Sequence, residues 1–230
     1  MIKRPMSRSS QIVRLLIFFA IVVGTTLTYS QSQTQTPAVV TFTLDFPKSQ
    51  PEHYSIRIQS DGAAHYESSG RLSADSDETD NFDFVFIATG ETRLKIFDLA
   101  AKAGYFQKDV DSHRKNLAFT GKKTLGFKDA QRTGESTYNY SSDPAVVELT
   151  SLMQNLSVTL EFGHRMQYDH QYQKLALDEE LKHMEQLAHA NELVEVTAIK
   201  PILDRIIADP SVMNVTRARA QRLLEHDGVH

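Results

Sequence analysis

Between residues 38 and 158 the chain alternates period-two apolar runs with helical spacings, and beyond residue 160 only the helical spacing persists. Val40, Phe42, Leu44 and Phe46 alternate with smaller or polar neighbours, the pattern of a half-buried strand whose side chains point to opposite faces in turn. Pro47 and Pro51 bracket a turn. Tyr54, Ile56 and Ile58 then alternate with Ser55, Arg57 and Gln59, and Asp61-Gly62 leads into Ala64-His65-Tyr66-Glu67. Asp-Gly between two such runs predicts a hairpin with a type I′ turn, which needs positive φ at both central positions. Residues 82–87 (Phe-Asp-Phe-Val-Phe-Ile) form another strand pattern.

Leu94, Ile96, Phe97, Ala100, Ala101 and Ala103 fall at helical spacing between Thr89 and Tyr105. Thr89 suits the N-cap, Lys102 the last turn and Gly104 the residue just past the end. Two β-like runs, 117–127 and 136–140, flank a polar turn. Asp143-Pro144 then opens a helix as cap and first residue, with Val146, Leu149, Leu152, Met153 and Leu156 down one face. Residues 165–190 are mostly good helix formers, with Leu177, Leu181, Met184 and Ala188 in register and Asn191 as the stop. Shorter helices are expected over 199–208 and 213–224, separated by Asp209-Pro210. The pattern predicts an α+β fold: a mainly antiparallel sheet with helices on one face over 38–158, then a helical C-terminal segment over 159–230.

The first thirty residues are of a different kind. Lys3, Arg4, Arg8 and Arg14 form a basic stretch without an acid, residues 15–23 are continuously apolar, and Thr28-Tyr29-Ser30 offers small residues at the first and third positions before Gln31. This is the layout of a secretory signal peptide. The alternative is retention as an anchor, in which case residues 12–29 are the membrane contact. Residues 31–37 (Gln-Ser-Gln-Thr-Gln-Thr-Pro) read as a polar linker. In both cases the remainder lies outside the cytoplasmic membrane, periplasmic or secreted in the first and tethered to the inner membrane in the second.

Loss of that leader changes the charge. The chain has 25 Lys and Arg against 29 Asp and Glu, and removing four basic residues moves the net charge from −4 to −8. An acidic body without a basic stripe repels phosphate backbones, so nucleic acid is not an expected partner. The chain has no Cys. A disulfide framework, a Cys-ligated metal, a thiol nucleophile and a lipobox anchor are thereby excluded, and stability must come from core burial.

The order strand, Tyr54-x-Ile56-x-Ile58-x-x-Asp61-Gly62-x-x-x-Tyr66, strand, helix ending Gly104-Tyr105-Phe106, hairpin, then Pro144 before a helix resembles an exported bacterial domain family of unknown function. That family usually opens Cys-Phe-Gly-x-Cys-Pro-x-Tyr. The likeness covers about residues 39–158 and implies an envelope location and an α+β sheet domain, with no activity. Here the corresponding stretch, residues 46–54, has neither Cys, and its Pro-to-Tyr spacing is longer by one. No role of those cysteines carries over.

Candidate chemistry is sparse. The acidic run over 75–83 offers Asp75, Asp77 and Asp80, yet an EF-type loop would need an acid at Thr79, Gly at Asp80 and Glu at Phe86, so a solvated loop between strands is the plainer reading. Glu161 with His164, and Glu180 with His183, each place a carboxylate and an imidazole three apart on a helix, as in di-iron bundles. If both pairs lie on one straight helix they are about 28 Å apart and cannot share an ion. His183 and His189 diverge around a helix, and His65 beside Tyr66 reads as a half-exposed ladder residue. Ser112-x-x-Lys115 matches a Ser-Lys nucleophile only by spacing, and Gly-x-Ser-x-Gly and His-Glu-x-x-His are absent. No cofactor is expected.

The reading is an exported, non-enzymatic binding or interaction module, with a protein partner or self-association through the helical segment. Two alternatives stand beside it: a metal-binding protein or metal-dependent hydrolase using Asp and His side chains, and a membrane-tethered subunit of an envelope complex.

Overall fold

A computed structural model describes residues 36–47, 49–71 and 78–227. The leader, linker residues 31–35, Asp75 and Asp77 lie outside the described residues. From Thr36 onward the chain forms one compact unit.

Six antiparallel strands form one sheet: β1 (Val39–Asp45), β2 (His53–Gln59), β3 (Ala63–Arg71), β4 (Thr79–Ile87), β5 (Lys122–Lys128) and β6 (Thr133–Tyr138). Their order is β4-β3-β2-β1-β5-β6. The first four strands meander outward from β1, and β5 returns to pair with its free side. Strand alternation assigns Val40, Phe42 and Leu44 of β1, Tyr54, Ile56 and Ile58 of β2, and Leu125 and Phe127 of β5 to one buried face. The other face carries Thr41, Thr43, Ser55, Arg57, His65, Glu67 and Asp83, all partly or fully exposed. Such a sheet, apolar within and polar without, is the usual antiparallel arrangement.

Among the described residues there are five α-helices, α1 (Gly90–Lys102) between β4 and β5 and, after β6, α2 (Pro144–Tyr172), α3 (Leu177–His189), α4 (Lys200–Ala208) and α5 (Asn214–Asp227). Thr89 caps α1 by accepting the Thr92 N–H, and Asp143 caps α2 by accepting the Ala145 N–H with Pro144 in the first turn. Gly104 follows the cap of α1 at φ 63° and Asn191 follows that of α3 at φ 56°. Both are residues for which the left-handed region costs little.

Three features differ from the sequence expectation. The hairpin after β2 is a three-residue loop: the Gly62 N–H donates to the Gln59 carbonyl, Asp61 accepts the Ala63 N–H, and only Gly62 has positive φ (99°). The helical run over 165–190 is broken at residues 173–176, where the Gln173 N–H still closes on the Asp169 carbonyl but the chain turns back. Residue 158, the expected border between sheet domain and helical segment, lies inside the 29-residue α2. This helix buries Leu149, Met153 and Leu156, and farther along Phe162, Gly163 and Met166, where the 3-10 turn Val196–Ile199 packs on it.

A buried carboxylate links the helical part to the start of α1. Glu195 is 4% exposed and its oxygens accept the Thr89 N–H at 3.0 Å and the Thr89 hydroxyl at 2.5 Å. Its own backbone is left-handed, φ 61°, a conformation that costs a non-glycine residue ~1–2 kcal/mol. The negative charge at a helix N-terminus offsets part of that cost.

Candidate functional site

β5 repeats Lys123-x-Leu125-x-Phe127, so Lys123 falls on the apolar face of the sheet with the other two. Its side chain runs to the end of β5 beneath the first turns of α2 and is only 5% exposed. There the ammonium donates to the carbonyls of Thr120 (3.0 Å), Asn139 (3.1 Å) and Gly121 (3.4 Å) and to the Thr120 hydroxyl (3.0 Å). Among the described residues no carboxylate lies within ion-pairing distance of it. Burial lowers its pKa from the ordinary lysine range.

Lys123 lines a cavity of about 220 Å³ between the β5–β6 end of the sheet and α2. Tyr138, Tyr140 and Val147 supply apolar wall, while Ser141, Ser151 and Gln154 add neutral polar groups. It opens to solvent beside Tyr140 and Val147, 42% and 46% exposed. The Tyr138 and Thr150 hydroxyls share a hydrogen bond at its floor, Thr150 also donates to the Val146 carbonyl at 2.6 Å, and burial pushes the Tyr138 phenol up to about 12. Among the described residues, no carboxylate or imidazole lines the cavity.

A second polar constellation lies under β2 and β3. Glu161 on α2 accepts the Tyr66 hydroxyl at 2.6 Å and the Ser68 hydroxyl at 2.7 Å, and Tyr66 also bonds Ser157 at 2.9 Å. Burial raises the Tyr54 and Tyr66 pKa values. Tyr66 is fully buried and Ser157 nearly so, and their bonds to half-buried Glu161 fix the orientation of α2 on the sheet. His164, one turn on, stacks on Phe82 at 4.2 Å and pairs with Asp80 of β4 at 3.0 Å.

The break at 173–176 puts the two carboxylate–imidazole pairs on different helices, so the single-helix separation does not apply, but they still do not converge. Glu161 faces the sheet and His164 faces β4. Glu180 instead pairs with Arg165 across α2 and α3 at 3.1 Å, and exposed His183 meets the Phe162 ring edge-on at 5.2 Å. Asp80 lies in β4 and pairs with His164. Exposed Lys115 lies in a loop, and the Ser112 hydroxyl accepts the Arg114 N–H at 3.4 Å, so no Ser-Lys pair exists there.

Sequence reasoning missed two features. Lys123 on an apolar strand face was a readable signal, since a lysine is almost never buried without a reason. The other is a group formed by His65, Glu67 and Asp83 on the polar face of the sheet, whose ligating atoms all lie within 4.8 Å of one another. His65-x-Glu67 was legible as one face of a strand, but Asp83 joins them only through the β3–β4 register.

No described helix is long and apolar enough to cross a membrane. No model of a known protein family matches the chain, and no curated protein matches it.

Proposed function

We propose that the protein is an exported, non-enzymatic binding module that holds a small, largely apolar molecule bearing one acidic group in the cavity beside Lys123. The observation that carries this reading is a buried cation without a carboxylate partner in the wall of an open, mostly apolar cavity. Inside a low-dielectric wall such a charge keeps the cavity at positive potential, which favours an anion whose remainder is apolar. A catalytic role for the group finds no support: as an ammonium it carries no lone pair, its N–H groups are taken up by three carbonyls and a hydroxyl so that it acts on a ligand through its field and not by contact, and among the described residues no acid or imidazole stands beside the serines. Export rests on the basic, apolar and small-residue order of residues 1–30.

Calorimetric titration with aromatic and medium-chain carboxylic acids, each compared with its uncharged amide, tests the reading. The acids bind at least tenfold more tightly than the amides, and Val147→Trp, which fills the mouth, abolishes binding while leaving the fold intact. Equal affinity for acid and amide, or binding that survives the plug, would sink it. A panel of esters and peptides stays unhydrolysed.

One observation favours association of the helical part as a second reading. Tyr168, Tyr172 and Leu175 at the end of α2 are 55%, 64% and 78% exposed, with the two tyrosine rings 5.0 Å apart. Concentration-dependent mass in light scattering, lost in Tyr172→Ser, is the result it requires.

A further inference from the structure

We propose that His65, Glu67 and Asp83 bind one divalent transition-metal ion of the zinc class on the polar face of the sheet. This site is independent of the cavity, which lies on the opposite face.

Two features of the backbone bring the three side chains together. His65 and Glu67 are alternate residues of β3 and share its outward face, and the β3–β4 register sets Asp83 directly opposite Glu67. One nitrogen and two carboxylate oxygens thereby fall within 4.8 Å of one another. The His65 Nε2 is already 2.9 Å from an Asp83 oxygen. A tetrahedral ion with bonds of ~2.0–2.2 Å needs its ligand atoms ~3.4 Å apart, so the His65–Asp83 pair opens slightly while the wider pairs close, an adjustment that small torsional changes of exposed side chains achieve.

The charge pattern supports the same conclusion independently. Like charges directly opposite in an antiparallel pair destabilise it, and Glu67 faces Asp83. His65 takes up Asp83 only. Among the described residues, Glu67 makes no side-chain hydrogen bond or ion pair, and Arg57, the β2 residue opposite His65, is not within ion-pairing distance of either carboxylate. A dication between the two acids converts this repulsion into attraction. One imidazole and two carboxylates, with no sulfur, suit borderline metals such as Zn²⁺ and leave a coordination position for water; Ca²⁺, which takes six to eight oxygens, is poorly matched.

The test is titration of the purified, tag-free and chelator-treated protein with Zn²⁺, followed by calorimetry and by thermal melting. One ion binds per chain and raises the melting temperature. His65→Ala, Glu67→Gln and Asp83→Asn each weaken binding at least tenfold, whereas His113→Ala, which removes the imidazole paired with Asp109 in an exposed loop, leaves it unchanged. In the absence of metal, Glu67→Gln melts at a higher temperature than the unaltered protein because the facing charges are gone. No saturable Zn²⁺ binding, binding unchanged in all three variants, or loss of binding in His113→Ala would overturn the proposal.

Discussion

Burial keeps three phenols neutral well past the pH at which an exposed tyrosine ionises: Tyr54, Tyr66 and Tyr138 all have pKa values raised chiefly by desolvation. A group that holds its proton more tightly in the folded state contributes stability that is full below its unfolded pKa of about 10 and is lost as pH rises above it. The three are therefore expected to ionise together with unfolding in an alkaline ultraviolet titration, after the exposed tyrosines. Independent, reversible ionisation of all tyrosines near pH 10 with the fold intact would contradict this. Asp209 gives the opposite sign. It accepts from Lys174 at 2.6 Å and from the Ser211 hydroxyl at 2.6 Å and N–H at 2.9 Å, bonds that hold its carboxyl well below the usual range, and it also pairs with His170 at 3.0 Å. Its stabilising contribution is present above the ordinary aspartate pKa and fades as pH falls through the lower folded value. Asp209→Asn should thus melt below the unaltered protein at pH 7, with the gap closing on acidification below about pH 4.

Among the elements, α2 is the one on which the rest depends, and Gly163 is its most sensitive point. A Cβ there would lie 2.4 Å from Cγ2 of Ile199, a branched side chain with little freedom to withdraw. Helix propensity favours alanine by about 1 kcal/mol, yet overpacking of this size costs ~1–3 kcal/mol, so Gly163→Ala is expected to destabilise by up to ~2 kcal/mol net in chemical denaturation. Stabilisation instead would mean that the turn at Val196–Ile199 does not press on the helix. The contrast with the sequence is instructive here. Mid-helix glycine reads as a weakness when only propensity is considered, because the reason for it is a contact 36 residues away. Signals confined to one element were legible: the alternation of β1 and β2, the Thr89 and Asp143 caps, and the buried stripe Leu177, Leu181, Met184 and Ala188. The break at 173–176 was not, since Gln173, Lys174, Leu175 and Ala176 carry neither Gly nor Pro and the turn is fixed by tertiary pairs such as Arg165–Glu180. The hairpin is legible in the sequence but the length of its loop is not, because Asp-Gly can occupy either the centre of a two-residue loop or the end of a longer one. The candidate sites follow the same rule. Glu161, His164 and Glu180 could be named, but whether their side chains converge depends on register and helix rotation.

At the scale of the whole molecule, three connections argue that the sheet and the C-terminal helices fold as one cooperative body. α2 runs without interruption through residue 158, so a cut there would remove the half of the helix that carries Leu160, Phe162 and Met166 and would leave buried Leu156 at a frayed end. Glu195 closes the N-terminus of α1 from a point 106 residues farther along, replacing water on the Thr89 N–H. Asp209 ties the last turn of α2 to the loop between α4 and α5. A fragment ending at residue 158 would thus lose the cover of its longest helix and one partner of α1 together. The body from Thr36 onward is expected to give a single calorimetric transition whose measured enthalpy equals the van't Hoff value, and the fragment 36–158 to lack a cooperative transition at all. Two separable transitions would show that the helices are an appendage. Because cavity and polar sheet face belong to the same body, ligand at either site should then raise the one transition and not split it.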